Sequence, residues 1–181
     1  MTKPEEVLDL RMYFFVPYNI SEIQKGIQAG HAALEYARGF GQTQLFKDFA
    51  EHHKTWIILN GGTTNGNPHK YGTLDEIYRS LYDYNVEVEQ SEKREDFIQF
   101  SLFHEPDLND ALTAICFIAD QRVWDCETFL TFEEYLAEHY VDDMSSIKDT
   151  KQYNEIRKNW EEIMGKKNIF LRELIKHKKL A

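Results

Sequence analysis

The 181-residue sequence has only two cysteines. They stand at Cys116 and Cys126, too far apart for a metal-binding Cys-x-x-Cys pair, and both are expected to be reduced structural thiols. No apolar run approaches the roughly 20 residues of a membrane-spanning helix, so no membrane is expected. The opening MTKPEEVLDL is acidic where a secretory signal would be basic and then apolar, which points to a cytoplasmic protein. The chain lacks His-Glu-x-x-His, paired histidines at ligand spacing, Gly-x-Ser-x-Gly, a P-loop and Gly-x-Gly-x-x-Gly, so neither a metal nor a nucleotide cofactor is expected. Positive charge is also short: the net charge is -10. A body that neutralises phosphates normally shows a basic face, so charge disfavours tRNA or another nucleic acid as partner. The exception is the stretch from Lys151 to Lys179, where basic residues outnumber acidic ones roughly two to one.

What is present is a core composition, 42% hydrophobic and 14% aromatic. Met12–Pro17 and Thr55–Leu59 read as buried strands. Between them, Ser21 with Gln24 forms a capping box opening a helix whose apolar stripe is Ile23, Ile27, Leu34 and Ala37. Leu45–His53 reads as a short second helix. Thr73 with Glu76 suggests another capping box, and Leu74, Ile77, Leu81 and Tyr84 the face of a further helix. Val86–Gln90 alternates like a half-exposed strand, Phe97–Phe103 alternates again, and a charged turn would join them as an antiparallel pair. Pro106-Asp107 then opens a helix through Leu108, Leu112 and Ile115.

This order predicts an α/β fold with a mixed four-stranded sheet flanked by helices, over residues 1–124. Residues 125–181 carry no strand pattern and read as a helical extension. Its apolar stripe (Tyr153, Ile156, Trp160, Ile163, Phe170), broken at Gly165, must pack on the body, on itself, or between copies in a homo-oligomer.

Two stretches are site-like. The first helix is built around Gln28-Ala-Gly-His31-Ala-Ala. Gly30 and its small neighbours predict close approach to the sheet, and His31 is expected to be structural, packed and hydrogen-bonded. The loop from Asn60 to Pro68 follows a buried strand, where open sheets place ligands. Asn60, Thr63, Thr64 and Asn65 are its candidate ligand-binding residues, and its glycines allow backbone approach. His52, His53 and His69 read as solvated.

In order and motif, residues 10 to 120 resemble the peptidyl-tRNA hydrolase 2 family of archaea and eukaryotes. Met12–Val16 matches its first strand, and Gln28-Ala-Gly-His31-Ala-Ala-Leu34 its Gln-x-x-His-Ala-Ala core without gaps. The resemblance implies cleavage of the ester between a peptide and a tRNA, by an early helical Lys and by an Asp and a Thr that follow the third strand. Aligned on His31, the lysine position holds Gln24, with Lys25 adjacent. The second motif aligns with Gln90 to Asp96, where Gln90 and Arg94 match, Ser91 takes the Asp position and Glu95 the Thr position. A rearranged catalytic site would need Lys25 and Glu92, with Gln24, Gln28, Ser91 and Arg94 binding ligand. Lys25 lies about 100° round the helix from Gln24, which argues against that substitution. Two functions follow as expectations: a divergent member that binds a protein or small ligand with its catalytic residues replaced, or a hydrolase of peptidyl-tRNA or a related ester with a rearranged site.

Overall fold

The computed structural model describes residues 8–64, 72–91, 94–139 and 151–181. Strand β1 (Leu10–Pro17) leads to helix α1 (Glu22–Phe40), short helix α2 (Gln44–Asp48), a π-turn at Phe49–His53, and β2 (Thr55–Gly62). Helix α3 (Thr73–Gln90), β3 (Phe100–Glu105) and β4 (Ala111–Asp120) complete the sheet, and α4 (Phe132–His139), α5 (Lys151–Met164) and α6 (Lys166–Ile175) follow.

The four strands lie in the order β2-β1-β4-β3. Strand β1 runs parallel to β2 and antiparallel to β4, and β3 is antiparallel to β4. The expected mixed α/β sheet is therefore present. Alternate residues of the central strands feed two cores. Met12, Phe14, Val16, Ala114, Cys116 and Ile118 pack against Ala29, Ala32 and Tyr36 of α1. Tyr13, Phe15, Ile115 and Phe117 pack against Leu74, Ile77 and Leu81 of α3 and Leu171 of α6. The molecule thus has helices on both faces, as two-sided burial of a central strand requires.

Two elements differ from expectation. Val86–Gln90 is the last turn and a half of α3, because the buried set Leu74, Ile77, Leu81, Asn85 and Val88 keeps a helical period to its end. The Val-Glu alternation was too short to outweigh that period. Asn85 also anchors the following chain, accepting from Ile98 N and donating to Ile98 O, both at 2.9 Å. Residues 107–115 form no α-helix. Pro106–Leu108 is a single 3-10 turn, and Asn109 and Asp110 both take positive φ, a conformation open to Asn and Asp that reverses the chain tightly. Strand β4 follows, buried along nearly its whole length, and an unbroken apolar run of that kind carries no period to separate helix from strand.

Helix α1 keeps its Ser21–Gln24 capping box. Its buried face, however, is Gln28, Ala29, Ala32 and Tyr36, while Ile23 is 78% and Leu34 70% exposed. Small residues do meet the sheet, but they are the alanines; a methyl group at Gly26 or Gly30 would touch no atom within 4 Å. The expected Thr73–Glu76 capping box is absent: Gly72 is the N-cap, its N–H donates to the Asp75 carboxylate, and the Thr73 hydroxyl donates to Gly61 O.

The extension packs on the body. Phe170 and Leu171 join the α3-side core, and the Arg172 guanidinium donates to the carbonyls of Arg122, Phe129 and Asp125, tying α6 to the chain after β4. Trp160 lies against Phe132 of α4 and donates from Nε1 to Leu130 O. Gly165, at φ 76°, makes the break between α5 and α6, a conformation costly for any other residue. The last residues cover the free edge of β2, with Asn60 N donating to Lys179 O and Ala181 N to Ile58 O. Edge coverage of this kind removes a pairing template. No helix among the described residues is long and apolar enough to cross a membrane.

Candidate functional site

The parallel strands β1, β2 and β3 all end at the same side of the sheet, where α1 and α3 begin. Tyr18 N donates to Gly62 O there, joining the exits of β1 and β2. Opposite them, β4 enters with an irregularity: Phe103 pairs with Ala114 but His104 with Leu112. Thr113 is therefore the extra residue of a β-bulge, which turns its side chain towards α1. Its hydroxyl donates to Gln28 Oε1 at 2.5 Å, and Gln28 Nε2 donates to Glu105 Oε2 at 2.7 Å. Gln28 and Thr113 are buried, whereas Glu105 at the end of β3 is partly exposed. The threonine fixes which way the amide points, and the amide fixes one oxygen of the carboxylate, leaving the other free to meet solvent.

Lys25 precedes Gln28 by three positions and so shares its helix face. Its side chain is only 11% exposed, and its ammonium is 2.9 Å from Glu22, itself 79% exposed. Gln24 points the other way and is used up in the cap, accepting from Ser21 N and Oγ. The rotation of about 100° between the two residues therefore works in favour of Lys25, because the helix presents Lys25, not Gln24, to the strand ends.

The loop candidates are mostly engaged in structure. Asn60 Oδ1 accepts from Gly62 N; Thr63 and Thr73 exchange hydrogen bonds between their backbone amides and hydroxyls; Thr64 Oγ1 donates to Leu112 O. They stand at the same end as Lys25 and Gln28. Asn65, and Glu92 of the rearranged pair, lie outside the described residues.

Ser91 and Arg94 lie elsewhere. Ser91 caps the C-terminal end of α3, bonding Val88 O, while Thr63 is bonded to its N-terminal residue. Eighteen helical residues separate the two ends, about 27 Å. Lys25 therefore does not converge with Ser91 or Arg94. The alignment placed Gln90 to Asp96 after a third strand, but Gln90 ends helix α3 and Ser91 is its C-terminal cap. The residues that do follow or close the third strand, Glu105 and Thr113, were missed; once Phe100–Glu105 is the strand, its terminal carboxylate is the signal.

His31 packs its ring on Phe103 at 4.4 Å between centroids. Packing is thus present, but the expected hydrogen bond is not found at Nδ1, which is buried without a partner among the described residues. The ring also lines an apolar hollow of about 630 Å³ with Ile27, Gly30, Leu34, Phe49 and Trp56. Of the other histidines, His52 is exposed, while His53 is sheltered beside Asp9. Cys116 is buried, donating to Ala32 O, and burial pushes its thiol well above the usual range; Cys126 is exposed, so only one thiol is structural. No cluster of three metal-ligating side chains occurs among the described residues. The chain matches no protein-family model and no curated protein.

Proposed function

We propose that the chain is a cytoplasmic hydrolase of peptidyl-tRNA or a related ester, working through Lys25, Gln28, Glu105 and Thr113. The observation that carries this reading is the relay from Thr113 to Gln28 to Glu105 at the ends of the parallel strands. The peptidyl-tRNA hydrolase 2 resemblance calls for a helical Lys and for a carboxylate and a threonine after the third strand. Lys25, one turn before Gln28 on the same helix face, with Glu105 and Thr113, supplies these residue types at one end of the sheet, which supports the reading. In this reading Glu105 takes a proton from the attacking water. Lys25 leaves Glu22, whose solvent exposure weakens their pair, to neutralise the oxyanion forming on the ester carbonyl. Thr113 and Gln28 hold the carboxylate in place. The proton then passes to the leaving ribose oxygen.

The test is release of tRNA from a model peptidyl-tRNA in buffer with magnesium and moderate salt, which screens the repulsion between the acidic body and the tRNA, and release of alcohol from an N-acylaminoacyl ester. Glu105→Gln should lower turnover by about 10²–10⁴-fold, and Lys25→Ala comparably. No turnover on either ester, or turnover indifferent to Glu105→Gln, would sink the proposal.

A second reading has its own support. The apolar hollow beside α1 is flanked by Leu34, 70% exposed, and Trp56, 45% exposed, a surface suited to binding a protein or small apolar ligand without chemistry. Titration with an apolar fluorescent probe, lost in Leu34→Asp, in a protein silent on both esters would favour it.

A further inference from the structure

A second hollow, of about 760 Å³, lies at the opposite end of the sheet, where α3 finishes, β3 begins and α6 passes. Lys167 of α6 faces it. Its ammonium makes no hydrogen bond and no ion pair among the described residues. Burial pushes its pKa down, with Arg122 adding to the effect, and the nearby Asp120 and Asp96 only partly oppose it. Asp120 is already committed, accepting from Arg122 at 2.7 and 3.0 Å and from Asn168. Lys167 is thus a partly desolvated cation that neither nearby carboxylate pairs directly, and it can take a further anionic partner.

The rest of the lining supplies more unmatched charge. Arg94 is a second cation, and Glu89 and Glu95 are two carboxylates; none of these side chains has an ion pair among the described residues. Leu45, Phe97 and Val88 give the hollow its apolar part. Opposite charges that line one space yet do not meet leave room for a ligand bearing both. A simple anion would face Glu89 and Glu95, and a simple cation would face Lys167 and Arg94.

We propose that this hollow binds a zwitterion with an apolar body, a free amino acid or short peptide, its carboxylate on Lys167 and Arg94, its ammonium on Glu89 and Glu95, and its side chains on Leu45 and Phe97. The site is separated from the Lys25–Glu105 cluster by the length of α3, so it stands or falls independently of the ester-hydrolase reading.

The experiment is calorimetric titration of the full chain with the dipeptide Leu-Phe, its N-acetyl form and its C-terminal amide. The free dipeptide should bind with a Kd below about 1 mM, and each blocked form at least about fivefold more weakly. Lys167→Met should weaken the free dipeptide by about tenfold or more. Arg94→Gln and Glu89→Gln, at exposed positions whose side chains make no hydrogen bond or ion pair among the described residues, should each weaken it as well, so the proposal remains testable if Lys167→Met lowers the melting temperature. Absence of binding at millimolar dipeptide, equal binding of the blocked forms, or binding unchanged in the Arg94 and Glu89 variants would overturn it.

Discussion

Replacing Gly26 and Gly30 together by alanine should stabilise the protein. Both lie inside α1, where glycine costs roughly 0.5–1 kcal/mol relative to alanine through the backbone freedom it loses. The usual reason to keep such a glycine is a neighbour that a methyl group would strike. Neither position has one within 4 Å. The two substitutions should therefore add about 1–2 kcal/mol, which in a chain of this length raises Tm by about 2–8 °C. Gly61→Ala provides the contrast. A methyl group there would lie 2.6 Å from Leu74 Cδ1 and 3.1 Å from Phe15 Cβ, inside the core, so overpacking of about 1–3 kcal/mol should outweigh any gain in chain entropy. Urea unfolding and calorimetry on the three proteins measure both signs. A fall in stability of the double alanine variant, at any protein concentration, would refute the reasoning, and a fall seen only at high concentration would show that another molecule packs on that helix face.

His31→Ala should cost about 1–3 kcal/mol through loss of the packing on Phe103, read by urea unfolding; unchanged stability with activity lost would make the histidine a functional group. A thiol reagent should label Cys126 quickly and Cys116 only on unfolding, because burial and a raised pKa both suppress the Cys116 thiolate; rapid labelling of two equivalents would contradict the fold. The Asp125 carboxyl is held down at about 2, first by the Gln121 amide and then by Thr128 and Glu127. Its folded pKa lies below its unfolded value of about 3.9, so its contribution to stability is complete above about pH 4 and is lost as pH falls towards 2. Acid unfolding of Asp125→Asn should lack that component, and a carboxyl resonance titrating near pH 4 in the native protein would refute the shift.

Much of this protein was legible in the sequence because the signals were local. Ser21 and Gln24 announce the start of α1 through a cap that needs only residues three apart, and Gly165 breaks the extension where its backbone conformation demands glycine. The β-branched and aromatic runs at β1 and β2, with the helices between them, gave a parallel crossover pair and the α/β class, whereas the mixed character, expected from pairing of Val86–Gln90 with Phe97–Phe103, comes from β4 beside β1 and β3. Local pattern failed where two explanations share one pattern. Val86–Gln90 alternates yet completes a helix, since burial beside Leu81 and Asn85 chooses the helical period. The run from Ala111 is apolar throughout, and only its place between β1 and β3 makes it a strand. The site depended on that decision. Gln28, Glu105 and Thr113 are separated by 77 and 85 positions along the chain, and a one-residue bulge turns Thr113 towards the helix. Nothing in the neighbourhood of any of the three specifies the others. Sequence determines the elements through short-range periodicity, but which side chains share an end of the sheet follows from strand order and register, and these are settled by the burial of both faces at once.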